Sequence, residues 1–251
     1  IRHGRDEHPS HLHTTLGVIS AETSRKLEAV GDLAAANVSW DKAAKAFDQA
    51  IALNADNFDA LAAYANRLIR RLSEGRVREP DEILEVASTA LAYLSEAEEV
   101  RSDAGELTRE DRDWLTRQRT GVWAVLRPEV AERMIDELRS QSDPLGYLLA
   151  AERVLQSDGH NPRARDLAIK ELETGIELPP SASTWKLLYL LYRLFAEDAI
   201  RTYDFTARLA LLRRLESTSF SPHARILFQH AVLCYQDGFF SEGTDRFRKL
   251  R

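Results

Sequence analysis

Trp40-Asp41-Lys42-Ala43-Ala44-Lys45-Ala46-Phe47-Asp48-Gln49-Ala50-Ile51-Ala52-Leu53, a polar break from Asn54 to Asn57, and then Phe58-Asp59-Ala60-Leu61-Ala62-Ala63-Tyr64-Ala65-Asn66-Arg67-Leu68-Ile69 form the stretch that decides the fold. Small residues and one large aromatic recur on one face of the first segment at helical spacing, and a second small-residue helix follows the break. Alanine at a helix contact lets a partner helix approach closely. Working outward, no period-two alternation of useful length appears, so the expected class is all-α with no sheet.

The spacing Ala43-x3-Phe47-x2-Ala50 resembles the second helix of a tetratricopeptide repeat, and Leu61-x2-Tyr64-Ala65-x2-Leu68 resembles the first helix of the next one. Ala55 stands near the place where the family usually has proline. Two registers compete for the helix before Trp40. One starts from His13-x2-Leu16-Gly17 and carries an insertion between its helices. The other runs through Leu27-x2-Val30-Gly31-x2-Ala34 and places Leu27 and Leu61, like Gly31 and Ala65, 34 residues apart, which is the family period; that second register is preferred. Further copies of the pattern are Tyr147-x2-Ala150-Ala151-x2-Val154 with Ala168-x3-Leu172-x2-Gly175 and Pro180, and Leu227-x2-His230-Ala231-x2-Cys234 with Gly238 and Gly243-x3-Phe247-x2-Leu250. The resemblance implies a helical-hairpin repeat solenoid of about five to six hairpins. Its expected organisation is a single superhelical domain over 1–251: an irregular lead-in at 1–10, N-terminal repeats at 11–95, a degenerate helical segment at 96–142, and C-terminal repeats at 143–251.

Local signals add detail. Gly75 reads as a helix stop and Pro80 as a first-turn residue. Glu96 to Glu106 reads as a solvated loop or helix end, and Thr108-Arg109-Glu110-Asp111 as a capping arrangement. The segment Trp185 to Phe195 is apolar almost all round, which marks a helix buried on several sides, with Thr202 to Glu216 as its partner.

Composition bounds the function. The formal charge is −6 and the pI about 5.7, which disfavours nucleic acid and anionic membranes as partners. No apolar run approaches the length of a membrane span. A lone cysteine, Cys234, cannot form an internal disulfide and fits a reducing, cytoplasmic setting. The chain opens without methionine and closes within a helical pattern, as expected of a piece of something longer.

No catalytic set emerges. His3, His8, His11 and His13 are read as surface or packing residues, because helical metal ligands prefer three- or four-residue spacing. Cys234 falls at a core-type position. Arg67, Arg70 and Arg71 read as a solvated helix face. A noncatalytic role without cofactor or metal is therefore expected.

The resemblance implies binding of a peptide, a partner protein or another domain of the parent chain along the face lined by first helices. On the 34-residue register that face offers Arg25, Glu28, Asp32, Asp59, Asn66 and Arg70, and in the last repeat Arg225, Phe228, Gln229 and Tyr235. The family's clamp for C-terminal carboxylates needs lysine and asparagine where Glu28 and Asp32 fall, so that chaperone-tail activity is not expected. A more specific implication is a sensor segment of a larger signalling protein, similar to those attached to signal-transduction ATPases with numerous domains. The alternatives are a small-ligand receptor or enzyme with an aromatic pocket near Trp185, Tyr189, Tyr192 and Tyr235, and a self-associating scaffold.

Overall fold

The computed structural model describes residues 7–159, 161–197, 205–216, 224–236 and 238–249. Among the described residues there are twelve helices and no strand: α1 (Glu7–Ala29), α2 (Leu33–Leu53), α3 (Phe58–Ser73), α4 (Pro80–Asp103), α5 (Arg109–Leu126), α6 (Pro128–Ser140), α7 (Pro144–Asp158), α8 (Pro162–Ile176), α9 (Thr184–Glu197), α10 (Phe205–Glu216), α11 (Ala224–Gln236) and α12 (Phe240–Arg248). No described helix is long and apolar enough to cross a membrane. The chain forms two compact units that meet in sequence after Glu132, within α6.

In the first unit, α1 and α2 pack along their whole length. The α2 face turned inward is Ala36, Ala43, Ala46, Phe47 and Ala50, all buried. Two α1 hydroxyls tie the pair at its ends: Ser10 Oγ donates to the Ala50 carbonyl and Ser24 Oγ to the Ala36 carbonyl, each at 2.8 Å. These anchor points lie 14 residues apart on both helices, so the helices run antiparallel in one register. Midway between them, a Cβ on Gly17 would stand 2.9 Å from three ring atoms of Phe47.

That contact overturns the preferred register. Val30, Gly31 and Asp32 make the α1–α2 turn, with Gly31 at φ +86° and Asp32 capping α2 through the Ala35 amide at 3.1 Å. The first helix is therefore the one read through His13, Leu16 and Gly17. The two helices are long, 23 and 21 residues, and the connection between them is short. The irregular lead-in also ends early, since α1 begins at Glu7.

Asn57 joins α1 to α3. Its Oδ1 accepts from the Ala60 amide at 3.1 Å, and its Nδ2 donates to Ser10 Oγ at 2.7 Å and Thr14 Oγ1 at 3.3 Å. Across the helices runs a stack of rings, Phe47 on Tyr64 at 4.8 Å and Tyr64 on Tyr93 at 5.1 Å between centroids. Gly75 ends α3 and Pro80 opens α4 as expected. The acidic stretch from Glu96 to Glu106 is a helix end rather than a loop: α4 continues to Asp103 and Gly105 follows at φ +70°. Thr108 and Asp111 form a reciprocal capping box at the start of α5.

The second unit is centred on α9. Leu187, Leu188, Leu191, Tyr192 and Leu194 are buried there against α7, α8 and α10. Asp143 and Asn161 cap α7 and α8, each with proline in the first turn. Helices α11 and α12 pair with one another, and α11 packs on α10. His3, His160, Asp237 and Leu250 lie outside the described residues, as do the side chains of His8, Phe205, Arg225 and Gln229.

Candidate functional site

The ends of α1 and α3 and the start of α2 line an open groove in the first unit, about 330 Å3 with the open solvent at its mouth included. Helical spacing builds it. Glu22, Arg25 and Glu28 lie one turn apart on α1, Arg67, Arg70 and Arg71 share one face of α3, and Trp40 comes from α2. Glu74 and Arg76 close it from the turn after α3.

Its lining holds five guanidinium groups and three carboxylates. The carboxylates are already taken. Arg25 donates to Glu22 through Nη2 at 2.5 Å and Nε at 3.1 Å, and this bond is the main reason the Glu22 carboxyl sits below its ordinary range. Arg76 pairs with Glu28 and, through Nε at 2.7 Å, with Glu74. The α3 arginines are served less well. Arg67 and Arg70 approach Glu22 only at 3.8 and 4.0 Å, too far for a hydrogen bond. The Nε of Arg67 is buried with no acceptor. Burial and then the like charge of Arg70 hold the Arg67 pKa below its ordinary value. Arg71 lies 4.3 Å over the Trp40 ring, and burial holds its pKa down too. Arg67 and Arg71 thus depart from the solvated face read from sequence, while Arg70 keeps to it: the Arg67 side chain is 19% exposed, against 44% for Arg70.

Of the residues named from sequence, Arg25, Glu28 and Arg70 meet in this groove. Asp32 does not, because its carboxylate is the α2 cap. Neither it nor Glu28 occupies the inner-face place assigned by the overturned register. Asp59 is exposed in the first turn of α3 and Asn66 is half-buried; neither lines the groove. On α11, Phe228 packs edge-on against Phe247, while Tyr235 contacts the rings of Phe240 and Phe247 and shares a 2.8 Å hydrogen bond with Thr244. Trp40, Arg67 and Arg71 were missed as site residues. Their i, i+3, i+4 spacing with Arg70 was visible; the burial that sets Arg67 and Arg71 apart was not.

A second polar cluster was also missed. In the second unit the buried His230 ring faces two carboxylates, Glu216 at Nδ1 and Glu242 at Nε2, the latter at 3.1 Å. Arg213 grips Glu242 at 3.0 and 2.5 Å, and Arg246 reaches Glu216 at 3.0 Å. The Arg213 bonds, with His230 adding, bring the Glu242 pKa down to about 2. The donor atoms of His230, Cys234 and Glu242 fall within 4.8 Å of one another, and the His230-x3-Cys234 spacing was the signal for it. A divalent ion there would compete with Arg213 for both Glu242 oxygens. Burial raises the Cys234 pKa, so the thiolate a soft metal needs is disfavoured. The cluster is built as a clamp of ion pairs joining α10, α11 and α12.

No protein-family model matches this sequence, and no curated protein matches it.

Proposed function

We propose that the chain is a noncatalytic binding module, a stack of helical hairpins of the tetratricopeptide type that holds a polypeptide segment from a partner or from elsewhere in a longer chain. The observation that carries this reading is the first-unit groove: open, with more positive than negative groups in its lining, and flanked by Arg67, whose buried Nε has no acceptor. Consecutive helix pairs and small residues at their seams support the hairpin stack, since one hairpin cannot bury its apolar face alone. A cytoplasmic setting belongs to the same reading, because Cys234 is a buried lone thiol. The aromatic-pocket alternative has less support. Tyr192 is core, and Trp185 and Tyr189 pack against it.

A photoreactive amino acid at position 70 tests the reading. It should form an adduct with one defined polypeptide segment, while the same group at the exposed Gln49 should not. Equal labelling from both positions, or no polypeptide adduct from position 70, would count against it.

A further inference from the structure

Resting on the reading that this groove receives a polypeptide, we propose that it grips a doubly charged phosphoryl group, a phosphate monoester carried on that segment. The argument is an unmet demand for acceptors. Arg25 and Arg76 hold the three acids of the lining, leaving Arg67, Arg70 and Arg71 adjacent on one face of α3. Arg67 buries an N–H with no acceptor, which in protein interiors is rare and costly. Stacking on Trp40 uses the face of the Arg71 guanidinium and leaves its in-plane N–H donors usable.

The lining carries two more guanidiniums than carboxylates, and although Glu82 and Asp41 outside it act on Arg71, they leave Arg67 and Arg70 with only the shared Glu22. A single carboxylate answers one of those charges. A phosphate monoester carries about −1.5 to −2 charge near neutral pH and offers three strong acceptor oxygens, which suits planar guanidinium forks. Arg70, the most exposed of the three, stands where an incoming group would first be met. The groove is open at its mouth, so the group can arrive hanging from a chain.

The test follows the arginine Nε–H resonances by nitrogen-edited NMR at constant ionic strength. Inorganic phosphate, sulfate and acetate are the probes. At about pH 7.5 the two dianions should move the Arg67 Nε–H signal, with acetate about tenfold weaker. At about pH 5.5 phosphate takes up a proton, its second pKa being about 6; its affinity should fall while that of sulfate holds. Arg70→Gln, on an exposed position, should weaken phosphate about tenfold with the circular dichroism unchanged. An Arg67 signal that ignores phosphate, or that answers acetate equally, overturns the proposal.

A phosphoserine peptide and its serine counterpart separate this inference from the reading beneath it. Preference for the phosphopeptide supports both. Equal binding of the two peptides keeps the polypeptide reading and sinks the phosphoryl one. Binding of phosphate with no gain from any attached peptide keeps the anion site and sinks the polypeptide reading.

Discussion

Replacing Gly17 by alanine should destabilise the first unit, although the same change in an exposed helix stabilises. Alanine gains about 1 kcal/mol over glycine in a helix interior. Here the added Cβ would meet Phe47 Cδ1, Cε1 and Cζ at 2.9 Å, against about 3.5–4.0 Å for an ordinary carbon contact. The ring has nowhere to go: Phe47 is fully buried, stacked on Tyr64, which is stacked in turn on Tyr93. So α1 must retreat by roughly 0.6–1 Å, stretching the serine bonds at its ends. Overpacking of this kind costs about 1–3 kcal/mol, for a net loss of up to about 2 kcal/mol after the propensity gain. Gly121 supplies the control, because its added Cβ meets only Ile69 Cγ2 at 3.6 Å; Gly121→Ala should therefore stabilise. Urea unfolding followed by far-ultraviolet circular dichroism reads both. Shrinking the ring with Phe47→Leu should reverse the sign of the Gly17→Ala effect in a double-mutant cycle. If Gly17→Ala stabilises as much as Gly121→Ala, the close α1–α2 contact is wrong.

Other outcomes follow from the Asn57 link between α1 and α3 and from the His230 clamp. Asn57→Ala removes the α3 cap and the donor to Ser10 and Thr14, at about 1–2 kcal/mol. Asn57→Asp keeps the cap but turns an acceptor toward those hydroxyls, so it too should destabilise, and a silent Asp variant in urea unfolding would show that only the cap matters. At the His230 clamp, Glu242 is held at about 2 against about 4.3 for a free glutamate. A lowered carboxyl pKa gives stability that is complete above about pH 4.3 and lost as pH falls toward 2. Hydrogen exchange of α11 and α12 amides should accelerate across that window, and Glu242→Gln should flatten the change; an unchanged slope would remove Glu242 from the clamp.

Much of the helix inventory was legible because its signals are local. Thr108 with Asp111, and Pro80, each mark a helix start within one turn, and the structure uses both. The register before Trp40 was not legible for a physical reason. Leu27 and Gly31 match the 34-residue spacing by sequence distance alone, while Gly17 is chosen by a contact with Phe47 that no spacing rule measures. The same limit applies to the groove. Arg25 and Glu28 were named from a register that failed, and they meet Arg70 because α1 is long enough to carry its last turns beside α3. The clamp around His230 draws on α10, α11 and α12, and sequence showed only its i, i+4 part.

The seam of Ala36, Ala43, Ala46 and Ala50 is smooth except at Phe47. A slip of α1 by one turn, about 5.4 Å, would trade one alanine for the next but would drive a side chain larger than Gly17 onto the Phe47 ring. Ser10 and Ser24 act as pawls against it, each catching one backbone carbonyl. Because Glu22 and Arg25 ride on the same rod, those two hydroxyls also set how far the acid of α1 stands from Arg67 and Arg70. The 3.8 Å between Glu22 and Arg67, whose Nε has no acceptor, is thus set by two serines at opposite ends of the helix.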